Sequence, residues 1–184
     1  VGANKNSIKI IGQYTDKDAQ AYFAYDSKKS FGVTVSHLRF GDRQIKSTYL
    51  ITAPDFVSCS AHAYIGKYDL LKGIKEGGTF LLNAPWTDEE MDKELPASMK
   101  QFIAKKKLKF FVIDAEKVAE EVGLNRRINV VMQTAFFGLA GILPVDKAIE
   151  YIKTAAAKTY ASKGEKVIQM NMNAIDKSLA NLRQ

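Results

Sequence analysis

Cysteine is nearly absent from this 184-residue chain: Cys59 stands alone, with two histidines and four prolines. One cysteine cannot close an internal disulfide, build a Cys-ligated zinc site or hold an iron–sulfur cluster. No stretch approaches the ~18 consecutive apolar residues of a membrane-spanning helix. The chain also lacks internal repeats, a low-complexity linker, a complete P-loop and a dinucleotide-binding fingerprint. No Ser-His-Asp order, paired-carboxylate motif or metal cluster is visible. By residue chemistry alone, nothing here catalyses by itself.

What is present describes an ordinary globular protein. Hydrophobic residues make up 46% and charged residues 26% of the chain, which excludes disorder and a fibrous architecture. The length supports one domain, with roughly 70% of the unfolded surface buried on folding. Lysine and arginine number 27 against 20 acidic residues, and the formal charge of +7 hints at anionic partners without saying which. The chain opens Val1-Gly2-Ala3-Asn4, with no Met and no charged-then-apolar targeting segment, and so reads as a piece of a longer polypeptide.

Periodicity divides the chain into alternating elements. Gly2 to Ser7 is small and polar and reads as a loop running into a short helix that carries Ile8 and Ile11, with Asn4, Asn6 or Ser7 as cap. Strands are expected at Tyr22–Tyr25, Val33–Phe40, Tyr49–Thr52, Phe56–Ser58, Thr79–Leu82 and Leu108–Ile113. The wholly apolar Thr79–Leu82 run suits the inside of a parallel sheet. Tyr64–Ile74 has helical spacing and stops at Gly77-Gly78; Thr87-Asp88-Glu89-Glu90 is a capping box; Pro96 starts another helix; and Asp114 caps one over Ala115–Val122. Beyond that the strands run out, and Asn129–Gly141, Val145–Lys158 and Glu165–Leu182 all read as helices. The pattern predicts a three-layer α/β/α domain with a mostly parallel sheet and a helical C-terminal segment. It places an α/β core at 1–125 and a helical part of the same domain at 126–184.

Two polar stretches could hold an anion. In Gly2-Ala3-Asn4-Lys5-Asn6-Ser7, small residues expose backbone N–H groups at a helix start, where the macrodipole favours negative charge, and Lys5 adds a full one. Both a phosphate cradle and an ordinary capped terminus fit these residues. Asp26-Ser27-Lys28-Lys29-Ser30 follows an expected strand, where open α/β sheets place ligand loops, and a solvated turn fits it equally. His37 and Arg39 share one face of a strand and could meet an anion, a partner carboxylate or simply hydrogen-bonding neighbours. Cys59 and His62 are too few for a metal site, and a buried free thiol is the favoured reading. Lys105-Lys106-Lys107, Lys109 and Arg126-Arg127 lack interleaved stacking aromatics, so they read as solvated helix ends rather than a nucleic-acid surface.

Longer motifs carry a resemblance. Val1 to Gly12, Gln20 to Ser30, Val33 to Gly41, Gly77 to Phe80 with Asn83 to Trp86, Met132 to Phe137 with Gly141 to Pro144, and Tyr160 with Lys163 to Val167 follow in order. Together they resemble the gamma domain of the pyruvate:ferredoxin (flavodoxin) oxidoreductase family over nearly the whole chain. The resemblance implies one domain of a large enzyme, with a homodimeric parent and a cytoplasmic location. That enzyme decarboxylates pyruvate on thiamine diphosphate, passes electrons through 4Fe–4S iron–sulfur clusters to ferredoxin or flavodoxin, and transfers the acetyl group to coenzyme A. The chain has neither cluster cysteines nor a thiamine-diphosphate motif, so those cofactors would sit in other domains. The glycine-rich stretch that precedes the first motif in the family is not in this chain. By resemblance, this domain packs beside the active site and helps bind coenzyme A through Gly2, Asn4, Lys5, Asn6 and Ser7, with Lys28, Lys29 and Ser30 as further candidates. The alternative is an interface domain with no ligand of its own. Neither nucleic acid nor membrane is expected as a partner.

Overall fold

A short apolar strand organises the molecule, which was analysed as a computed structural model describing residues 1–25 and 33–184. Counting in chain order, the strands are β1 (Asp18–Ala24), β2 (Val35–Gly41), β3 (Phe56–Cys59), β4 (Thr79–Asn83) and β5 (Lys109–Ile113). The helices are α1 (Gly2–Tyr14), α2 (Asp88–Glu94), α3 (Ala97–Lys105), α4 (Ala115–Glu121), α5 (Asn129–Ala140), α6 (Val145–Tyr160) and α7 (Glu165–Ser178). β4 is the centre of a parallel sheet ordered β3-β4-β5, with Phe56 opposite Thr79 and Thr79 opposite Lys109.

Side chains of a strand alternate between faces, and β4 uses both. Phe80 and Leu82 join Cys59, Leu71, Ile74, Met91 and Leu95 in one buried cluster. Leu81 points the other way and joins Ile10, Ile11, Val118, Val131, Phe137, Ile152 and Ile175 in a larger one. The sheet is therefore the middle of three layers, with α2 and α3 on one side and α1 and α4–α7 on the other. Full burial of a side chain such as Phe80 contributes about 2–3 kcal/mol, and both faces of β4 collect it.

β1 and β2 form a separate antiparallel pair, with Asp18 opposite Gly41 and Ala24 opposite Val35. The parallel sheet is thus smaller than the strand count suggests. Phe40 of β2 and Phe56 of β3 both meet Phe136 of α5 edge-on, at 6.5 and 5.2 Å between ring centres, which docks the pair onto the main core.

Local signals with a capping mechanism translate directly. Thr87 and Glu90 make a reciprocal capping box at the start of α2, and the Asp114 side chain accepts the Lys117 N–H at the start of α4. Two expected elements do not form. Tyr64–Ile74 is a series of turns after a short 3-10 helix at His62–Tyr64, because Gly66 and Gly73 both take φ of +75° and turn the chain out of the helical path. Tyr49–Thr52 forms no strand and has no ladder partner among the described residues. Side chains hold that segment instead: Asp18 Oδ2 accepts the Ile45 N–H at 2.6 Å, Arg39 Nη1 donates to the carbonyls of Ser47 and Tyr49, and His37 Nδ1 accepts the Ile51 N–H at 3.1 Å. The Arg39 guanidinium also lies 3.9 Å over the Tyr49 ring. His37 and Arg39 do share a face, and both anchor residues 45–51.

Two predictions follow from this packing. A Cβ at Gly73 would lie 2.0 Å from the Thr52 carbonyl oxygen at a left-handed φ. Gly73→Ala is expected to destabilise the protein by at least about 1–3 kcal/mol, read as a lowered urea midpoint. Partial burial holds the His37 imidazole below its ordinary pKa. The unfolded chain therefore binds the extra proton first, so stability is retained above about pH 6.5 and declines as the pH falls below it. Denaturation midpoints measured from pH 7.5 to 5.5 should fall in the native protein and fall less in His37→Phe; parallel curves would show that His37 is not the group responsible.

Candidate functional site

The amphipathic stripe of α1 builds the site. Ser7, Ile10 and Ile11 face the core, so positions 2, 5, 6 and 9 fall on the opposite, polar side. There Gly2, Lys5, Asn6 and Lys9 line a cleft of about 290 Å³ against Asn129, Val130 and Gln133 of α5 and the end of α6 at Thr159 and Tyr160. The two helix starts adjoin: a Cβ on Gly2 would stand 3.5 Å from Asn129 Nδ2.

Helix starts leave N–H groups without intrahelical partners, and side chains usually cap them. The start of α5 has no such cap: Ile128 precedes it without a side-chain cap bond, and its first turn holds no acidic residue. With Lys5 and Lys9 on the rim and no Asp or Glu among the lining residues, the charged side chains of the cleft are all positive, while its amides, hydroxyls and the end of α6 supply acceptors as well as donors. The Lys5 ammonium stands 5.5 Å over the Phe23 ring, between the cleft and β1.

The residues expected at this site divide. Gly2, Lys5 and Asn6 line the cleft, whereas Asn4 and Ser7 do not. The expected loop is in fact the first turns of α1, already helical at Gly2, with the Lys5 N–H on the Val1 carbonyl at 3.0 Å. Ser7 is consequently a buried mid-helix residue whose hydroxyl donates to the Ala3 carbonyl at 2.9 Å, and it caps nothing. Lys28, Lys29 and Ser30 lie outside the described residues. Lys9, Asn129 and Gln133 escaped the reading of the chain. The signal available for Gln133 was a polar side chain within the apolar run of α5, where it is 4% exposed and its Nε2 has no hydrogen-bond partner.

The remaining polar candidates are structural. Cys59 is buried, its Sγ donates to the Ala61 carbonyl, and burial pushes the thiol up from its ordinary pKa. The His62 ring packs edge-on to Trp86 at 5.2 Å. Among the described residues no three His, Cys, Asp or Glu side chains cluster to hold a metal. Lys107 pairs with Glu76 at 3.3 Å. A second cleft of about 370 Å³ lies between α2, α3 and β5; it is floored by Met91, Leu95, Ile103 and Phe110. Its rim charges are already matched, Lys100 with Asp92 at 2.7 Å and Arg183 with Asp88 at 2.8 Å.

The comparisons with known proteins agree with one another. The family model described as pyruvate ferredoxin/flavodoxin oxidoreductase matches residues 1–180. The pyruvate:ferredoxin oxidoreductase of Moorella thermoacetica is 60% identical over 184 residues, all of this chain and 16% of that protein. Among solved structures, the pyruvate oxidoreductase subunit PORC of Thermotoga maritima superposes with a TM-score of 0.76 at 20% identity, over 99% of this chain and 89% of that one. The 2-oxoglutarate:ferredoxin oxidoreductase of Magnetococcus marinus, solved with 2-oxoglutarate, coenzyme A and succinyl-CoA bound, gives 0.67 at 18% identity, over 98% of this chain and 28% of that one. The chain thus spans about a sixth of the curated relative it matches, and it belongs to the pyruvate ferredoxin/flavodoxin oxidoreductase family.

Proposed function

We propose that this chain is the coenzyme-A-side domain of an enzyme that converts pyruvate, coenzyme A and oxidised ferredoxin or flavodoxin to acetyl-CoA, carbon dioxide and reduced carrier. Residues 1–184 form one domain of it, an α/β core over 1–125 continued by helices over 126–184. One observation supports the ligand assignment above others: Lys5 and Lys9 converge with the uncapped start of α5 on a cleft that holds no acidic side chain. Coenzyme A carries a pyrophosphate and a 3′-phosphate, the anions such a cleft favours.

Each residue has a distinct part. The backbone N–H groups at Gly2 and Ala3 donate to phosphate oxygens, Lys5 and Lys9 neutralise charge as ammonium groups, and Asn6 donates through its side-chain amide. Lys28, Lys29 and Ser30 are proposed as additional contacts; Asn4 and Ser7 are not, since neither lines the cleft. Thiamine diphosphate and iron–sulfur clusters would supply decarboxylation and electron transfer from other domains. One buried cysteine and no acidic metal cluster among the described residues do not fit either group here. Those other domains, ferredoxin or flavodoxin, and a second copy of the enzyme are the proposed partners, in the cytoplasm. No helix among the described residues is long and apolar enough to cross a membrane.

A second reading has its own support. Tyr22, Tyr25, Val35 and Tyr49 are 55%, 61%, 46% and 61% exposed around the β1–β2 pair, an aromatic face suited to a neighbouring domain. The two readings separate experimentally. Lys5→Ala in the full-length enzyme should raise the KM for coenzyme A about tenfold, the loss of one charge-assisted hydrogen bond, and leave the KM for pyruvate unchanged. Calorimetry should show coenzyme A binding more tightly than 3′-dephospho-coenzyme A. Unchanged coenzyme A kinetics in Lys5→Ala, with no binding heat at millimolar ligand, would leave the interface reading alone.

A further inference from the structure

β5 is an edge strand of the parallel sheet, and its outer side is only partly paired. The Lys109 N–H donates to the Gly78 carbonyl and the Ile113 carbonyl accepts from the Ala84 N–H, so Lys109, Phe111 and Ile113 bond toward β4. Phe110 and Val112 therefore turn their backbone groups outward. Val112 is satisfied there: its N–H donates to the Arg183 carbonyl at 2.8 Å, and its carbonyl accepts the Arg183 N–H at 2.9 Å, an antiparallel pair. Below it, the Ile103 carbonyl of α3 accepts the Leu108 N–H at 3.0 Å. Phe110, between the two, has no outward backbone partner among the described residues.

An unpaired strand edge is a template for a further extended segment. This edge opens on the cleft of about 370 Å³ floored by Met91, Leu95, Ile103 and Phe110, whose rim charges are matched within the fold, so an apolar side chain suits it better than an ion. Arg183 is anchored beside the edge, with Nη1 on Asp88 at 2.8 Å and Nη2 on the Trp86 carbonyl at 2.5 Å. Antiparallel pairing steps one residue along each strand in opposite directions. With Arg183 opposite Val112, Gln184 falls opposite Phe111 and the next residue opposite Phe110. Opposite residues share a face of the sheet. Val112 and Phe110 both pack on the α2–α3 side, so the side chain opposite Phe110 enters the cleft.

We propose that this cleft seats the polypeptide's own continuation: the residue after Gln184 pairs with Phe110, its apolar side chain fills the cleft, and the Val112–Arg183 pair grows into a short antiparallel strand on the edge of β5. The inference rests on the proposed function only in taking this chain as one domain of a longer protein, as it is 16% of the Moorella thermoacetica relative; it makes no use of coenzyme A. The occupant is this polypeptide rather than a second copy or another protein, because Arg183 already delivers the backbone to the edge in register and pairing closes no new loop. The junction to the next domain then leaves as a hydrogen-bonded strand instead of a flexible linker, so the sheet fixes its direction.

The test uses the full-length enzyme. Gln101 and Ala104 are both exposed on α3, but only Ala104 lines the cleft. With maleimide labelling followed on the peptide that carries each new thiol, Ala104→Cys should react about tenfold or more slowly than Gln101→Cys. Deuterium exchange should find the Phe110 amide protected about as well as that of Val112. Aspartate in place of the residue after Gln184 carries a charge onto the apolar floor and should release the strand. Ala104→Cys should then label as fast as Gln101→Cys, and the Phe110 amide should exchange about tenfold faster. Equal labelling of the two cysteines without that aspartate, or an unprotected Phe110 amide, overturns the proposal. So does a charged residue naturally present after Gln184. Protection that survives the aspartate means that another domain or a second copy covers the cleft, and overturns it as well. If both protections are present and both are lost with the aspartate, the proposal stands, even where Lys5→Ala leaves coenzyme A kinetics unchanged and the ligand reading fails.

Discussion

The burial of β4 on both faces is the constraint from which the rest of the molecule follows. A strand with neighbours at both edges has its backbone hydrogen bonds satisfied, so its side chains alone decide what can pack against it. Phe80 and Leu82 demand one apolar cover and Leu81, with Ile113 beside it, another. Two short helices meet the first demand. The second draws α1 and α4–α7 into a single cluster, and only because of that are residues as far apart in sequence as Lys5 and Gln133 close enough to line one cleft.

The candidate site is thus a by-product of helix periodicity. Ile10 and Ile11 are 2% and 0% exposed and fix the rotation of α1 about its axis. Once they are buried, positions 2, 5, 6 and 9 have no choice but the opposite side. α5 has a different constraint. It is apolar nearly all round, with Val131, Ala135 and Phe137 fully buried, so its polar exceptions stand out. Thr134 satisfies its hydroxyl within the helix, on the Val130 carbonyl at 2.7 Å. Gln133 makes no such bond: its Nε2 has no partner.

Elements whose signal is local were legible in the residues: the capping box at Thr87, the Asp114 cap, the apolar β4 and the long helices of the C-terminal half all lie where periodicity and capping place them. The misreadings share a cause. Helical spacing over Tyr64–Ile74 was real, but Gly66 and Gly73 take left-handed φ values because the chain must turn back toward the sheet, where Thr52 leaves no room for a side chain at Gly73. At the start of the chain, small polar residues rich in capping types suggest a loop leading into a helix. The segment is instead helical from Gly2, with Ile10 and Ile11 of the same helix packed into the core. Half of the cleft was invisible for a further reason. Gly2, Lys5 and Asn6 are adjacent in sequence and suggest an anion site, but their counterparts on α5 become neighbours only after the fold has closed.

The unpaired amide of Gln133 faces a cleft that two lysines also line. Natural chains rarely leave buried donors unsatisfied, and each instance lowers stability unless something outside the fold restores it. In this cleft the charged groups are the ammoniums of Lys5 and Lys9, and the buried atom without a partner is a donor, Gln133 Nε2. Donors carried on helices that pack into the core need not move far on binding, so they lose little entropy when a ligand arrives. The same argument separates this cleft from the larger one between α2 and α3. There the apolar floor and the paired rim charges leave nothing for an anion to complete.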